Sequence, residues 1–390
     1  MMRVISNEER VLAVKRIICV LLTLTLCISP AFAVSGEPAV EAPSVLLMEK
    51  ETGTILYELS AHDKYEPASV TKVMTMLLVM EALDSGRITM EDMVQVSAHA
   101  CSMGGSQIYL KEGERMSVRD LLKSVAVASA NDAAVALAEH IAGSEDAFVA
   151  LMNERAAQLG MNDTSFLNCT GLPAAGHLTS AYDIAVMSRA LILHDGIREF
   201  TTIWMDSVRD GQFQLANTNK LIRFFDGATG LKTGFTDSAL FCLTATAERE
   251  GMELIAVVLH AQTSEKRFET AKALLTFGFA NYTLLNVWPN EALPPIDVSL
   301  GESPVVQPVL EGAGRVLVDK TDLNKVTTSV QLTDRVEAPV EKGQKLGTMT
   351  VWLDGVEQQT LPIVADQAVA RLTLGGVLNR FLHHLFLAGQ

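Results

Sequence analysis

Two serines, two lysines and one amide side chain occur in short motifs whose residue types are suited to acyl transfer. The motifs are Ser69-Val70-Thr71-Lys72, Ser129-Ala130-Asn131 and Lys232-Thr233-Gly234, and each occurs once in the chain. A serine hydroxyl becomes an effective nucleophile when a nearby base removes its proton. Lysine can act as that base only when it is neutral, and burial or a second nearby cation lowers its pKa toward that state. The motifs therefore predict a nucleophilic serine with a lysine base.

The spacing of these residues predicts a different task for each group. Lys72 follows Ser69 by three positions, so on a helix the two side chains share a face and Lys72 can reach the hydroxyl. Ser129 is suited to pass the proton to a leaving amine. We therefore predict Ser69, Lys72 and Ser129 as the catalytic residues, with Lys72 neutral. Lys232 is predicted to stay charged and to lower the pKa of Lys72.

The remaining motif residues are suited to binding a peptide. The Asn131 carboxamide both donates and accepts hydrogen bonds, as a peptide backbone requires. Lys232 and Thr233 can hold a terminal carboxylate through charge-assisted hydrogen bonds. Gly234 has no side chain, so substrate backbone can lie close to its strand.

The pattern around the motifs predicts the elements that bring them together. Pro67 and the apolar residues after Ser69 predict a helix that carries Ser69 in its first turn. Residues 129–132 interrupt an Ala- and Val-rich helical stretch, which predicts a turn between two helices. Residues 230–234 lead into the first of two late strands. The backbone N–H groups of Ser69 and Phe235 would then form an oxyanion hole.

Helical segments enclosing a sheet of early and late strands predict an α/β (α+β) sandwich at residues 44–285. Prolines after Trp288 mark a boundary, and short strand-like runs predict a small β domain at 286–365. Apolar residues at i, i+3 and i+4 spacing predict an amphipathic helix at 366–390 that lies in a membrane interface. A helix docked on the protein's own surface is the alternative, because it would show the same pattern.

The first 33 residues have the features of an export signal. A basic start precedes an apolar run at 17–28 that is short for a membrane span, and Ala31-Phe32-Ala33 matches a cleavage site. A retained membrane anchor is the alternative. A Gly-, Pro- and Ala-containing linker follows at 34–43. We therefore expect an extracytoplasmic protein attached peripherally to the cell membrane by its C-terminal helix.

Composition excludes several other classes of protein. The chain has 390 residues, 48% hydrophobic and 20% charged residues, and a net charge of −15, which disfavours nucleic acid as a partner. Nucleotide-binding and zinc-protease motifs are absent from the sequence. Cys101, Cys169 and Cys242 form no Cys-x-x-Cys pair, so we expect neither a metal nor a cofactor.

The motif regions resemble those of D-alanyl-D-alanine carboxypeptidases, the low-molecular-mass penicillin-binding proteins of the serine type. The similar stretches are Glu66-Pro67-Ala68-Ser69-Val70-Thr71-Lys72, Gly105-Ser106-Gln107-Ile108-Tyr109-Leu110, Ala128-Ser129-Ala130-Asn131-Asp132-Ala133 and Gly230-Leu231-Lys232-Thr233-Gly234-Phe235-Thr236. The resemblance implies the transpeptidase fold shared with serine β-lactamases, with a β domain and a terminal helix. It implies that Ser69 attacks peptidoglycan stem peptides ending in D-Ala-D-Ala, releases D-Ala and is acylated by β-lactams.

The resemblance also implies that Arg267 helps to hold the substrate carboxylate, although a solvated surface charge is an equal alternative for this residue. His177 could touch substrate or simply order its loop. The sequence departs from the family at Ala130, where many members have glycine, and at Phe235, where some have histidine. A methyl group at position 130 is awkward only if its φ is positive.

Other functions on the same fold stay open. A β-lactamase of the class A type needs a carboxylate that activates the deacylating water. Residues 162–183 contain Asp163 and Asp183 but no glutamate, which disfavours this function. A D,D-endopeptidase uses the same residues and is not separated by sequence. A non-catalytic wall-peptide-binding protein is disfavoured, since binding requires no lysine base beside a serine.

Overall fold

The computed structural model describes residues 36–289, 292–312 and 314–376. The predicted signal at 1–33 and residues 377–390 of the predicted terminal helix lie outside the described residues. Within the described ranges, no helix is long and apolar enough to cross a membrane.

The first part of the described chain alternates strands and helices. Its strands are β1 (Ser44–Glu49), β2 (Ile55–Leu59), β3 (Met93–Gln95), β4 (Arg115–Ser117), β5 (Met205–Val208), β6 (Phe213–Ala216), β7 (Ala228–Thr236), β8 (Leu240–Arg249) and β9 (Met252–Ala261). Its helices are α1 (Lys72–Asp84), α2 (Ala98–Cys101), α3 (Val118–Ala128), α4 (Asn131–Ala142), α5 (Glu145–Gln158), α6 (Ala181–Ile192), α7 (Arg198–Thr201), α8 (Leu221–Phe224) and α9 (Ser264–Asn281).

A five-stranded antiparallel sheet in the order β2-β1-β9-β8-β7 divides this part into two layers. Successive side chains of a strand point to opposite faces of the sheet. In β9, Ile255 and Val257 therefore pack into the larger core with the first helices, while Leu254 and Ala256 pack toward α9. The predicted sandwich and the predicted pairing of the two late strands are confirmed.

Helix α1 lies at the centre of the larger core. Its residues from Lys72 to Met80 are all buried, as expected for a helix that is apolar around its whole circumference. A 3₁₀ turn, Ala68–Thr71, precedes it and contains Ser69. Ser69 therefore stands just before the α-helix rather than inside its first turn.

The C-terminal part of the described chain is built from strands. These are β10 (Tyr282–Asn286), β11 (Ile296–Ser299), β12 (Val305–Val306), β13 (Pro308–Leu310), β14 (Arg315–Asp319), β15 (Val326–Leu332), β16 (Arg335–Glu337), β17 (Lys345–Leu353) and β18 (Val356–Ala365). They form the sheets β10-β14, β12-β11-β16 and β13-β18-β17-β15, with two apolar cores. This is the β-rich region predicted from the sequence.

Both predicted boundaries of this region shift. The pairing of β10 with β14 places 282–286 with the β-rich part rather than with the catalytic part. Val369 is buried and bridges Val340, and Arg371 bridges Gly301, so 366–371 complete the β domain instead of beginning a helix. The apolar residues at helical spacing lie C-terminal to this segment. Helical backbone begins at Leu374.

Candidate active site

The buried side chain of Lys72 contacts the partly exposed Ser69. The Lys72 Nζ donates hydrogen bonds to Ser69 Oγ at 3.1 Å, to Asn131 Oδ1 at 2.5 Å and to the Thr170 carbonyl at 2.7 Å. Lys72 is 0% exposed. Burial lowers its pKa to about 7, although electrostatic interactions with Cys169 and Asp132 act in the opposite direction. A substantial fraction of Lys72 is therefore neutral near pH 7, the state that a general base requires.

Lys232 is also buried, and its Nζ donates to the Thr233 carbonyl at 2.9 Å. Burial, followed by the positive charges of Lys72 and Arg267, holds its pKa well below the usual value. This direction runs against the prediction of a charged Lys232. A substrate carboxylate beside Lys232 would raise the pKa again, because an opposite charge favours the ammonium form.

Ser129 and Asn131 lie between α3 and α4, as the sequence predicts. Ser129 has a φ of 64°, and its Oγ is buried without a hydrogen-bond partner in the described part of the chain. The Asn131 Nδ2 donates to the Gly104 carbonyl at 2.7 Å, while its Oδ1 accepts from Lys72. Ala130 has a φ of −59°, so the methyl group that replaces glycine in this family is accommodated without strain.

Strand β7 carries the third motif and passes directly over the turn that holds Ser69. A Cβ on Gly234 would lie 2.7 Å from the Pro67 carbonyl oxygen and 3.1 Å from the Ser69 nitrogen. Position 234 therefore has no room for a side chain because the protein's own backbone, and not only a substrate, approaches it. Thr233 Oγ1 donates to Thr218 Oγ1 at 2.6 Å, and the Phe235 side chain is half exposed.

Arg267 is not the solvated surface charge that the sequence left open. It is buried on α9, where its Nη1 donates to the carbonyls of Gly234 at 3.1 Å and Cys242 at 3.3 Å. Burial lowers its pKa to about 10. The guanidinium thus fixes β7 beside the site.

The loop before α6 packs against the same turn, a contact that sequence reasoning missed. His177 Nδ1 accepts from the Leu167 N–H at 3.2 Å, which leaves Nε2 protonated and facing Thr71 Oγ1 at 2.9 Å. Burial lowers the pKa of His177 to about 4, so the ring is neutral at pH 7. A Cβ on Gly171 would lie 1.8 Å from the Ala68 carbonyl oxygen. Of the two roles left open for His177, the contacts favour ordering the loop.

Asp132 supports the site from the opposite side. Its buried carboxylate accepts hydrogen bonds from the N–H groups of Ile108 at 3.1 Å and Leu110 at 3.0 Å. The Asn131 N–H donates to the Ser106 carbonyl at 2.7 Å. The main chain of segment 104–110 is therefore fixed against Asn131 and the Asp132 carboxylate.

The described residues include no group of three or more His, Cys, Asp or Glu side chains arranged to hold a metal ion. The site consists of a serine, a buried lysine beside it with a pKa of about 7, an unpartnered second serine and a second buried lysine. Residues 31–263 match the family model described as D-alanyl-D-alanine carboxypeptidase. The chain belongs to the D-alanyl-D-alanine carboxypeptidase family.

Similarity to this carboxypeptidase family extends beyond the catalytic part. Residues 290–371 match the model described as the C-terminal domain of penicillin-binding protein 5. The chain is 43% identical over 338 residues to the D-alanyl-D-alanine carboxypeptidase DacF of Bacillus subtilis, covering 85% of this chain and 87% of that protein. The resemblance inferred from the motifs is confirmed.

Solved structures of the family have the same fold. Penicillin-binding protein 5 of Haemophilus influenzae superimposes with a TM-score of 0.73 at 30% identity, covering 86% of this chain and 99% of that one. Penicillin-binding protein D2 of Listeria monocytogenes, in its ampicillin-bound form, gives a TM-score of 0.57 at 33% identity, covering 63% of this chain and all of that one. The predicted transpeptidase fold with a small C-terminal β domain is thereby confirmed.

Proposed function

We propose that this member of the family is a serine D-Ala-D-Ala carboxypeptidase that uses Ser69 to remove the terminal D-Ala from peptidoglycan stem peptides. The observation that carries the proposal is the 3.1 Å contact between the Ser69 hydroxyl and the fully buried Lys72 amine. A serine beside a lysine that is partly neutral near pH 7 is a ready nucleophile, whereas a protein that only binds wall peptides has no need of such a pair.

In the first step, neutral Lys72 takes the Ser69 proton as Oγ attacks the penultimate carbonyl carbon. The N–H groups of Ser69 and Phe235 would stabilise the oxyanion. The unpartnered Ser129 hydroxyl relays the proton to the departing amine of D-Ala. The C–N bond breaks and an ester to Ser69 remains. Water then hydrolyses this acyl-enzyme. A β-lactam acylates the same hydroxyl, with its ring C–N bond breaking in place of the peptide bond.

Recognition of the substrate's terminal carboxylate falls to Lys232 and Thr233. The entering carboxylate raises the pKa of Lys232, so binding and protonation of Lys232 are coupled. Asn131 is suited to bind the substrate backbone while it also contacts Lys72. Its Nδ2 carries two hydrogens, and the Gly104 carbonyl accepts only one of them. Arg267 positions β7 behind these groups.

A β-lactamase function is less well supported. Residues 166–178, which contain the Lys72-bound Thr170 carbonyl, include no Asp or Glu. Asp163 is paired with His62 at 2.9 Å, and Asp183 accepts hydrogen bonds from the Asp163 N–H and the Thr164 hydroxyl. Both carboxylates are therefore used outside the Ser69 turn.

The deciding experiment uses purified protein, diacetyl-Lys-D-Ala-D-Ala and labelled penicillin. We expect release of D-Ala and a stable label on Ser69, with both lost in Ser69→Ala. If neither D-Ala release nor acylation occurs, the carboxypeptidase proposal is wrong. Rapid turnover of penicillin with little peptide cleavage would indicate a β-lactamase instead.

We also propose that the protein is exported and held at the outer face of the cell membrane by its C-terminal segment within 366–390. The support is the apolar periodicity of that segment together with the signal-like N-terminus. Deleting 374–390 should move the processed protein from the membrane to the soluble fraction while leaving penicillin acylation intact. Unchanged membrane binding of the deletion variant would contradict this assignment.

A further inference from the structure

A cleft of about 640 Å³ opens beside the active site, at the end of the segment that contacts Asn131. Its volume lies within the range of small-molecule sites, about 300–1,000 Å³. Two aromatic rings and several polar side chains face it, namely Tyr109, Lys111, Glu112, Gln212 and Phe213.

Residues 104–110 connect the cleft to Asn131. The Asn131 N–H donates to the Ser106 carbonyl at 2.7 Å, and the Asn131 side chain donates to the Gly104 carbonyl at 2.7 Å. Tyr109 follows Ser106 by three residues, so it lies at most about 10 Å along the chain from that contact. A ligand bound at Asn131 would therefore have to extend by only about 10 Å to reach Tyr109.

Tyr109 has an uncommon backbone conformation that presents its ring to solvent. Its φ is 56°, a value that bulky L-residues rarely adopt, and its side chain is 65% exposed. The conformation is imposed from both sides. Asp132 accepts the flanking N–H groups of Ile108 and Leu110, while Arg209 Nη1 donates to the Ile108 carbonyl at 2.8 Å.

The same arginine orders the opposite wall of the cleft. Arg209 Nε donates to Glu114 Oε1 at 2.7 Å, and its guanidinium lies 5.7 Å from the centre of the Phe213 ring. Phe213 meets Tyr109 edge to face, with 6.1 Å between ring centres. Backbone strain of this kind persists where the surrounding contacts enforce it, and it is concentrated at ligand sites.

We propose, resting on the carboxypeptidase function above, that this cleft binds the saccharide to which the stem peptide is attached, with Tyr109 as a specificity-determining contact. A pyranose ring has an apolar C–H face and an edge of hydroxyl and amide groups. The exposed Tyr109 ring matches the face, and the Glu112, Gln212 and Lys111 side chains match the edge. Four residues of the stem peptide lie between the saccharide and the carbonyl that Ser69 attacks, and an extended chain of that length spans at most about 14 Å.

The test compares three substrates: diacetyl-Lys-D-Ala-D-Ala, the free pentapeptide and the disaccharide pentapeptide. In Tyr109→Ala, kcat/KM for the disaccharide pentapeptide should fall about three- to tenfold, and the other two substrates should be unaffected. Tyr109→Phe keeps the ring and should match the unaltered protein. Phe224→Ala is the control outside the cleft, because Phe224 is also 65% exposed.

Equal losses on all three substrates would mean that Tyr109 only supports the segment, and would overturn the proposal. A loss shared by the free and the disaccharide pentapeptides would mean that the Tyr109 ring contacts the peptide, which would also overturn the proposal. The absence of any loss would overturn it as well. Calorimetric binding of the disaccharide pentapeptide to Ser69→Ala, with and without Tyr109→Ala, tests the cleft separately. Failure of the carboxypeptidase function would instead appear as no D-Ala release from any substrate by the unaltered protein.

Discussion

At the scale of single residues, the site depends on burial more than on charge pairing. Lys72 contacts neutral oxygen atoms of Ser69, Asn131 and Thr170. Removal from water therefore decides its protonation, and desolvation disfavours the ammonium form. The neighbouring Lys232 and Arg267 are buried as well, so three basic groups share one region, and their mutual repulsion adds to the desolvation of Lys232.

The pKa of Lys72 has a direct kinetic consequence. Because burial lowers that pKa to about 7, the rate constant for acylation by penicillin should rise with pH through about 7, as Lys72 loses its proton. Lys72→Arg places a permanently charged group at the base position and should slow acylation by about 10³-fold or more at every pH. A stopped-flow pH profile checks both statements. A profile that is flat between pH 5.5 and 8.5 would contradict the role of Lys72.

Gly234 should tolerate no side chain. A Cβ there would lie 2.7 Å from the Pro67 carbonyl, and neither backbone can yield without moving the turn that carries Ser69. Gly234→Ala should cost about 1–3 kcal/mol of stability, as overpacking does, and slow acylation by about 10²-fold. Gly104→Ala is the matched control, because a Cβ at position 104 meets nothing within 4 Å. Denaturant unfolding and labelled-penicillin kinetics give the two measurements.

At the scale of elements, the catalytic groups belong to different segments that converge on one 3₁₀ turn. Strand β7 covers the turn from one side through Gly234, and the loop before α6 covers it from another through Gly171. His177 fastens this loop to Thr71. These elements thus exclude water from Lys72, and its lowered pKa results from their packing.

The contact of His177 with Thr71 should make the free energy of unfolding depend on pH. The unfolded chain binds a proton at His177 near its ordinary pKa of 6.5, whereas in the folded state burial lowers that pKa to about 4. Stability contributed by neutral His177 is therefore present above about 6.5 and falls as the pH drops toward 4, by about 3 kcal/mol at most. His177→Asn should lose less stability than the unaltered protein between pH 7 and 4. Urea unfolding at both pH values makes the comparison, and identical losses would contradict it.

At the scale of the whole molecule, the catalytic and β-rich parts have separate apolar cores but meet along β10 and β14. Leu284 and Leu317 of these strands also pack against the smaller catalytic core. Arg315 adds an ion pair to Glu51 at 3.1 Å and a hydrogen bond to the Gly251 carbonyl at 3.1 Å. The β domain therefore supports the catalytic part without contributing a residue to the site described above.

This organisation predicts where the chain can be cut. A fragment of residues 36–281 keeps the five-stranded sheet and α9, so it should acylate within about twofold of the longer protein, with a Tm lower by a few degrees. A fragment ending at 286 retains β10 without its partner β14 and should aggregate more readily, because an unpaired apolar strand is a template for association. Penicillin labelling and light scattering compare the two fragments. Loss of acylation in the shorter fragment would mean that the β domain orders the site.

Much of the catalytic set was predictable from the sequence, because a helical turn dictates which side chains share a face. The three-residue spacing of Ser69 and Lys72 predicted their contact, and the polar residues between two helical stretches predicted the turn at Ser129. The periodic spacing of apolar residues likewise predicted the sandwich and the β-rich region. The family followed from the motifs because their residue types carry the chemistry themselves.

Other features depended on contacts between residues distant in the chain, which local patterns do not encode. Only the tertiary structure decided that Arg267 is buried against the Gly234 carbonyl, that His177 fastens a loop to Thr71, and that 366–371 pair with the β domain. The same holds for the lowered pKa of Lys232, since desolvation is a property of everything packed around a group. The sequence alone determined which groups can react, and the packing decided the protonation state of each group in the site.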